Sequence, residues 1–191
     1  MGNLPPPRER ILAAARELFY RHGIHAVGVD AIAEAAGTNK MTLYRHFESK
    51  DLLIAAVMRT LAVEFDAAGE EIARAHDRDP KGQLLAWLRY MTEYKLTETN
   101  RGCALANAAI ELPDRDHPAR RVIEEYKTAL RTKIVRLCWE AGLDDPELVA
   151  DELFLLCEGA KASVESVGPG GPAERLPQMM QRLVERHARP S

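Results

Sequence analysis

The sequence predicts an all-α chain of nine helices, on three observations. Its long segments repeat apolar residues three and four positions apart, the period of a helix with one buried face. No run alternates apolar and polar residues in the way a half-buried strand does. The periodic segments are also punctuated as helices are, by Asn, Ser or Asp-Pro ahead of them and Gly or Pro behind.

In chain order, Met1 to Pro7 is expected to be a flexible arm, since its three consecutive prolines cannot sit inside a helix. Arg8 to His22 is amphipathic, with Ile11, Leu12, Ala15, Leu18 and Phe19 on one side and Gly23 closing it. Two short helices follow across a tight turn. Gly28 caps the first, whose small apolar face is Ile32, Ala33 and Ala36. Gly37 supplies a left-handed ending, and Asn39 caps the next helix through its side-chain oxygen. Leu43 and Phe47, four apart, anchor that helix inward. Ser49 caps a long helix over about 50–77, with Leu52, Leu53, Ala56, Val57, Leu61 and Phe65 inward.

Asp79-Pro80 is a cap and first-turn pair opening a helix to about Thr99, with Leu84, Leu85, Trp87, Leu88, Met91 and Tyr94 as its stripe. Asn100-Arg-Gly102 breaks it, and a short helix over about 103–112 stops at Pro113. His117-Pro118 starts another to about Ala141, ended by Gly142 and carrying Val122, Ile123, Tyr126, Leu130, Ile134 and Leu137. Asp145-Pro146 repeats the cap-and-proline signal for a helix to about Val167. Gly168-Pro-Gly-Gly-Pro172 is a loop, and the last helix runs over about 173–187 with Leu176, Met179, Met180, Leu183 and Val184.

Composition bounds the function classes. With 191 residues, 46% of them hydrophobic, the chain can bury a core as one compact unit or two closely packed ones. Its apolar runs fall well short of the roughly 18 residues that cross a bilayer, and Met1 to Pro7 has neither the basic start nor the apolar stretch of a signal peptide. Cys103, Cys138 and Cys157 are an odd number without metal-ligand spacing, as expected of reduced thiols in a cytoplasmic protein. The net charge of −3 argues against a nucleic-acid-coating protein, but its distribution is uneven. Residues 1–50 hold seven Lys/Arg against five Asp/Glu, and the remainder nineteen against twenty-four. A mildly basic head on an acidic body suggests that only the head meets phosphate.

With Leu43 and Phe47 inward, Lys40, Thr42, Tyr44, Arg45 and His46 are left outward. A short helix outlined in hydrogen-bond donors has the profile of a helix-turn-helix recognition element. Residues 8–53 resemble the DNA-binding domain of the TetR family of transcriptional regulators. The resemblance rests on Arg10-Ile-Leu-Ala-Ala-Ala-Arg-Glu-Leu-Phe19, Gly23-Ile24, Ile32-Ala33, Ala36-Gly37, Thr42-Leu-Tyr-Arg-His-Phe47 and Ser49-Lys-Asp-Leu52. It implies a three-helix head over 8–53 and a helical ligand-binding and dimerisation domain over 54–191. Arg101-Gly-Cys-Ala-Leu-Ala-Asn-Ala-Ala-Ile-Glu-Leu112, with His117-Pro118, looks like the start of the regulatory core in one broad TetR-like subgroup.

Carried over by position, the resemblance puts Thr38, Asn39, Lys40, Met41 and Thr42 at bases or nearby phosphates, with Tyr44, Arg45, His46 and Lys50 on the contacting face. Lys40 suits guanine O6 or N7, and the Met41 and Thr42 methyl groups suit a thymine methyl. Gly28 and Met41 depart from the common pattern of the family, which has a hydroxyl cap and a smaller side chain there. One helix cannot supply operator affinity, so a homodimer on a palindromic double-stranded operator is implied. The last two helices are its expected surface, with Leu148, Val149, Leu153, Leu156, Ala160, Val164, Leu176, Met179 and Leu183 as candidates. The same stripes would serve equally to bury against their own subunit.

Trp87, Met91, Tyr94, Cys103, Asn107, Tyr126, Leu130 and Phe154 are candidate lining for a mostly apolar pocket holding an unidentified small molecule. The plain alternative is core. Asn107 and Glu158 stand out because each lies within a largely apolar helix. No nucleophile–base set, phosphate-binding glycine loop or metal spacing is present, and His22 and His25 straddle Gly23 without a partner cluster. No cofactor, metal or enzymatic activity is expected. The sequence thus points to a ligand-responsive DNA-binding regulator, a repressor in the first instance, with a ligand-independent DNA-binding protein as the alternative.

Overall fold

The computed structural model describes residues 4–97, 102–168 and 170–188, and for 92–97 the backbone alone. The described residues form nine α-helices: α1 (Pro7–His22), α2 (Val29–Ala35), α3 (Lys40–His46), α4 (Lys50–Ala75), α5 (Pro80–Thr97), α6 (Ala104–Glu111), α7 (Pro118–Glu140), α8 (Pro146–Val167) and α9 (Leu176–Arg186). A 3-10 turn, Pro172–Arg175, leads into α9. Among the described residues there is no strand, only an isolated antiparallel bridge between Leu143 and Ala188. Nor is any described helix long and apolar enough to cross a membrane.

Local chemistry sets most of the boundaries. The Ser49 hydroxyl accepts the Leu52 amide at 3.1 Å and starts α4, and Asp79 Oδ1 accepts the Gly82 amide at 2.9 Å in the first turn of α5. His117 caps α7 through Nδ1, which accepts the Ala119 amide at 3.1 Å. Gly142, with φ +71°, ends α7, as Gly23 at +82° ends α1.

Three expectations are corrected. α1 begins one residue before the expected Arg8, at Pro7, with Pro5 and Pro6 outside the helix and Pro6 as its cap. A first-turn proline gives up only an amide that has no intrahelical acceptor. Asp145 precedes α8 with φ 49° and makes no side-chain cap; the chain there turns to join Asp144 N–H to the His187 carbonyl at 2.8 Å. Leu52 is exposed rather than inward, because Leu53, Ile54, Val57, Met58 and Leu61 already fill the buried face of α4.

The chain divides into two compact units. The first comprises Met1–Glu64 with Ala104–Glu125, the second Phe65–Cys103 with Tyr126–Ser191, so the division falls inside α4 and inside α7. The core of the first unit includes Ile11, Ala15, Ile32, Leu43, Leu53 and Leu105, all fully buried or nearly so. The second is built on α5, α7, α8 and α9, around Leu84, Ile134, Leu143, Val149, Leu153 and Met180.

Candidate nucleic-acid interface

The turn between α2 and α3 is closed by the backbone. Gly37 adopts φ +61°, its amide bonding to the Glu34 carbonyl at 2.9 Å and the next amide, Thr38, to Ala33 at 2.9 Å. Asn39, extended at φ −128°, caps α3 by accepting the Thr42 amide on Oδ1 at 2.9 Å. Leu43 at 0% exposure and Phe47 at 5% seat α3 on the core of the first unit. The opposite face is therefore presented outward by construction. Asn39, Lys40, Met41, Tyr44, Arg45 and His46 are exposed, Met41 by 82%. Thr38, Thr42 and Lys50 are half-buried.

Besides the capping Asn39, two of these side chains already have partners. Lys40 Nζ lies 3.2 Å from Asp30 Oδ2, which α2 contributes. Lys50 Nζ donates to the Ile24 carbonyl at 2.7 Å and sits 6.0 Å above the centre of the Phe19 ring. Lys50 is thus part of the scaffold of the head as well as a candidate phosphate contact. Gly28 caps α2 in an extended conformation without a side-chain acceptor, and a Cβ there would meet nothing within 4 Å.

The residues that hold the turn were not singled out by their spacing. Arg10 on α1 donates from Nε to the Ala36 carbonyl at 2.9 Å, from Nη2 to Gly37 at 3.2 Å and from Nη1 to Pro5 at 3.0 Å. It satisfies the carbonyl end of α2, where acceptors lack intrahelical donors. Arg8 stacks over Phe47, its guanidinium carbon 5.3 Å from the ring centre. Glu111, the last residue of α6, accepts the Ile24 amide at 2.6 Å and the His25 amide at 3.3 Å, while His25 Nε2–H donates back to the Glu111 carbonyl at 2.6 Å. His117 Nε2 faces Asp51 at 3.4 Å. The α1–α2 loop is thereby pinned to α6, and the start of α4 faces that of α7, within one unit.

In the second unit, Trp87 and Met91 are buried in the core, with Leu130 and Phe154 packed against it. Cys103 is half-buried. Tyr126 packs against Phe65 with ring centres 5.9 Å apart and the rings tilted by 47°, and burial, with Asp66 next, pushes its hydroxyl pKa well above the ordinary value. Asn107 belongs to the first unit instead, and the Tyr94 side chain lies outside the described residues.

Glu158 accepts Lys127 Nζ at 2.7 Å and Lys161 Nζ at 2.9 Å on the same oxygen. Burial pushes the Glu158 carboxyl up, but Lys161 and Lys127 overcome it and hold it below the usual range. Of the expected dimer residues, Val149, Leu153, Ala160, Val164, Leu176 and Leu183 are buried within their own chain and Leu156 is half-buried. Leu148 and Met179 are exposed, as are Leu155 and Val167.

Comparisons with known proteins agree with this geometry. Residues 11–57 match the family described as "Bacterial regulatory proteins, tetR family". The crystal structure of a TetR-family transcriptional regulator from Streptomyces coelicolor superposes with a TM-score of 0.89 at 28% identity, covering 96% of both chains. A TetR-type regulator from Streptomyces avermitilis gives 0.76 at 31% identity, covering 95% of this chain and 98% of that one. The HTH-type transcriptional regulator YjdC of Escherichia coli is 26% identical over 154 residues, 80% of each chain. The HTH-type transcriptional activator FasR of Mycolicibacterium smegmatis is 48% identical over 61 residues, 30% of this chain and 28% of FasR. The all-α architecture, the recognition-helix geometry and these likenesses together place the chain in the TetR family of transcriptional regulators.

Proposed function

We propose that this chain is a homodimeric, cytoplasmic repressor that binds a palindromic double-stranded operator and is released by a small, mostly apolar ligand. Residues 8–53 form the DNA-binding domain in this reading and residues 54–191 the ligand-binding and dimerisation domain. The observation that carries it is the outward face of α3, with Asn39, Lys40, Met41, Tyr44, Arg45 and His46 exposed around an anchor of Leu43 and Phe47. Such a helix fits the major groove with its amino-terminal residues at base edges. Thr38, Thr42 and Lys50 complete the contacting set from half-buried positions. The chain's role is binding rather than catalysis, in keeping with relatives named as transcriptional regulators.

The dimer reading is supported by a stripe on α8 that its own core does not cover. Leu148 and Leu155, seven apart, are exposed, and exposed Gly159 and Ala162 continue the stripe with small side chains. Met179 adds an exposed apolar side chain from α9. These residues, with half-buried Leu156, replace the buried members of the expected set as the groups that meet a second copy across a two-fold axis. Trp87, Met91, Cys103, Tyr126, Leu130 and Phe154 remain the candidates for the ligand. Release follows from linkage: a ligand that prefers the body conformation incompatible with operator spacing lowers DNA affinity. α4 and α7 each run through both units and supply continuous backbone for that coupling.

In-vitro selection of bound DNA from a random pool tests the reading. Two inverted half-sites about 34–36 Å apart centre to centre are expected. A single unrepeated half-site removes the dimer, and unselected binding removes sequence recognition. A reporter under the selected operator then separates repression from activation, the role in FasR's name.

A further inference from the structure

We infer that the second unit binds an organic monoanion, a carboxylate with an apolar body, through the Lys127 and Lys161 ammonium groups. The inference rests on the ligand-responsive reading above and supplies the chemistry of its ligand.

The Lys127 and Lys161 side chains are 16% and 8% exposed, and the Glu158 side chain between them 27%. Two ammonium groups therefore share one oxygen of one largely buried carboxylate. Among the described residues, no second carboxylate lies within ion-pair distance of either lysine. Counted over the carboxylates of the described residues, one positive charge is left over. Burial works against the Lys161 ammonium, yet Cys103 and Glu158 beside it hold its pKa above the ordinary value, so neutralising the lysine is not the way out. Two of the nearby acids do not help: burial pushes the Cys157 thiol up to about 12 and the Tyr126 hydroxyl higher still. Both stay neutral at physiological pH and remain donors.

An unmatched charge in a low-dielectric site is disfavoured, and a bound anion removes the penalty. One negative charge closes the count, which favours a carboxylate over a dianionic phosphate. The surroundings call for an apolar body. Lys127 lies 5.5 Å over the Phe154 ring, the Tyr126 ring meets Phe65, and Phe154 and Leu130 pack on the Trp87–Met91 core. The backbone beneath Lys161 is also fixed. Gly102, with φ +62°, passes so close to α8 that a Cβ would come within 3.1 Å of the Lys161 carbonyl oxygen.

The test titrates full-length protein with benzoate and octanoate and with their uncharged matches, benzamide and octanamide, by thermal shift and tryptophan fluorescence. Each acid is expected to bind at least about tenfold more tightly than its amide, the scale of one charge-assisted contact. Lys161→Met should abolish that preference. Glu158→Gln, which uncovers both ammonium groups, should strengthen it. Should Lys161→Met not fold, Lys127→Met carries the same readout.

Equal binding of acid and amide, or binding of neither, overturns the inference, and so does Glu158→Gln without gain. Inorganic phosphate binding as tightly as benzoate overturns the apolar body. Operator affinity is read separately. Acids that bind without altering it leave the anion site standing and remove ligand release, whereas operator release by the amides alone does the reverse.

Discussion

Arg10 aims its guanidinium at main-chain carbonyls of Pro5, Ala36 and Gly37, so it ties α1 to the turn from which α3 starts. Arg10→Ala should cost about 1–2 kcal/mol in urea unfolding, the range for charged donors with part of the contact exposed, and should weaken DNA binding with it. Unchanged stability would mean that the turn holds itself. Lys40 poses a different question, because its contact with Asp30 is exposed on both sides and such pairs contribute little to folding.

Asp30→Asn should therefore shift stability by less than about 1 kcal/mol while tightening operator binding and steepening its salt dependence. Lys40→Ala should relax selection at one base pair, by roughly 1–3 kcal/mol where that base is guanine. Matched binding data across operator variants decide between them. If Lys40→Ala weakened all sequences alike, Lys40 would be a phosphate contact. Lys50 is the less clean probe, since removing it also frees the Ile24 carbonyl.

Elements in this chain meet through short-range chemistry that sequence displays and long-range chemistry that it hides. The Asn39, Ser49 and Asp79 caps and the Gly37 and Gly142 endings were legible because each acts within a few residues of itself. The Glu111 staple to Ile24 and His25 joins residues 87 and 86 positions apart, and no periodicity reports it. Gly23 is where the two kinds meet: its φ of +82° and ψ of 159° suit glycine alone, and a Cβ would come within 3.0 Å of Glu111 Oε2. Gly23→Ala should destabilise the head by about 1–3 kcal/mol and lower operator affinity. Glu111→Gln, which keeps the shape and removes the charge, should give a smaller loss. Thermal unfolding of the two variants checks the order, and the reverse order would place the strain elsewhere.

At the scale of the whole molecule, apolar stripes on α8 and α9 were readable, but not which side of each helix faces its own core. Leu148 and Leu155 are separated from buried Val149 and Leu153 by only one or two positions, a rotation that composition cannot resolve. The consequence is a sharp test of assembly. Leu155→Arg should leave the fold intact, because the side chain is 68% exposed, yet convert the proposed dimer to monomer and reduce operator affinity by at least about a hundredfold, as expected when paired half-sites act independently. Sedimentation velocity reads the first and a binding titration the second. A dimer that persists would move the interface off this stripe.

Gly28 leaves the amide hydrogens of Val29, Asp30 and Ala31, the opening turn of α2, without a side-chain acceptor from their cap. In free protein these hydrogens are open to exchange with water. A phosphate seated at the start of α2 would take them up, so amide exchange at these three positions should slow on operator DNA. That makes Gly28 a built-in reporter of engagement, silent in the fold and read out only when the backbone of DNA arrives.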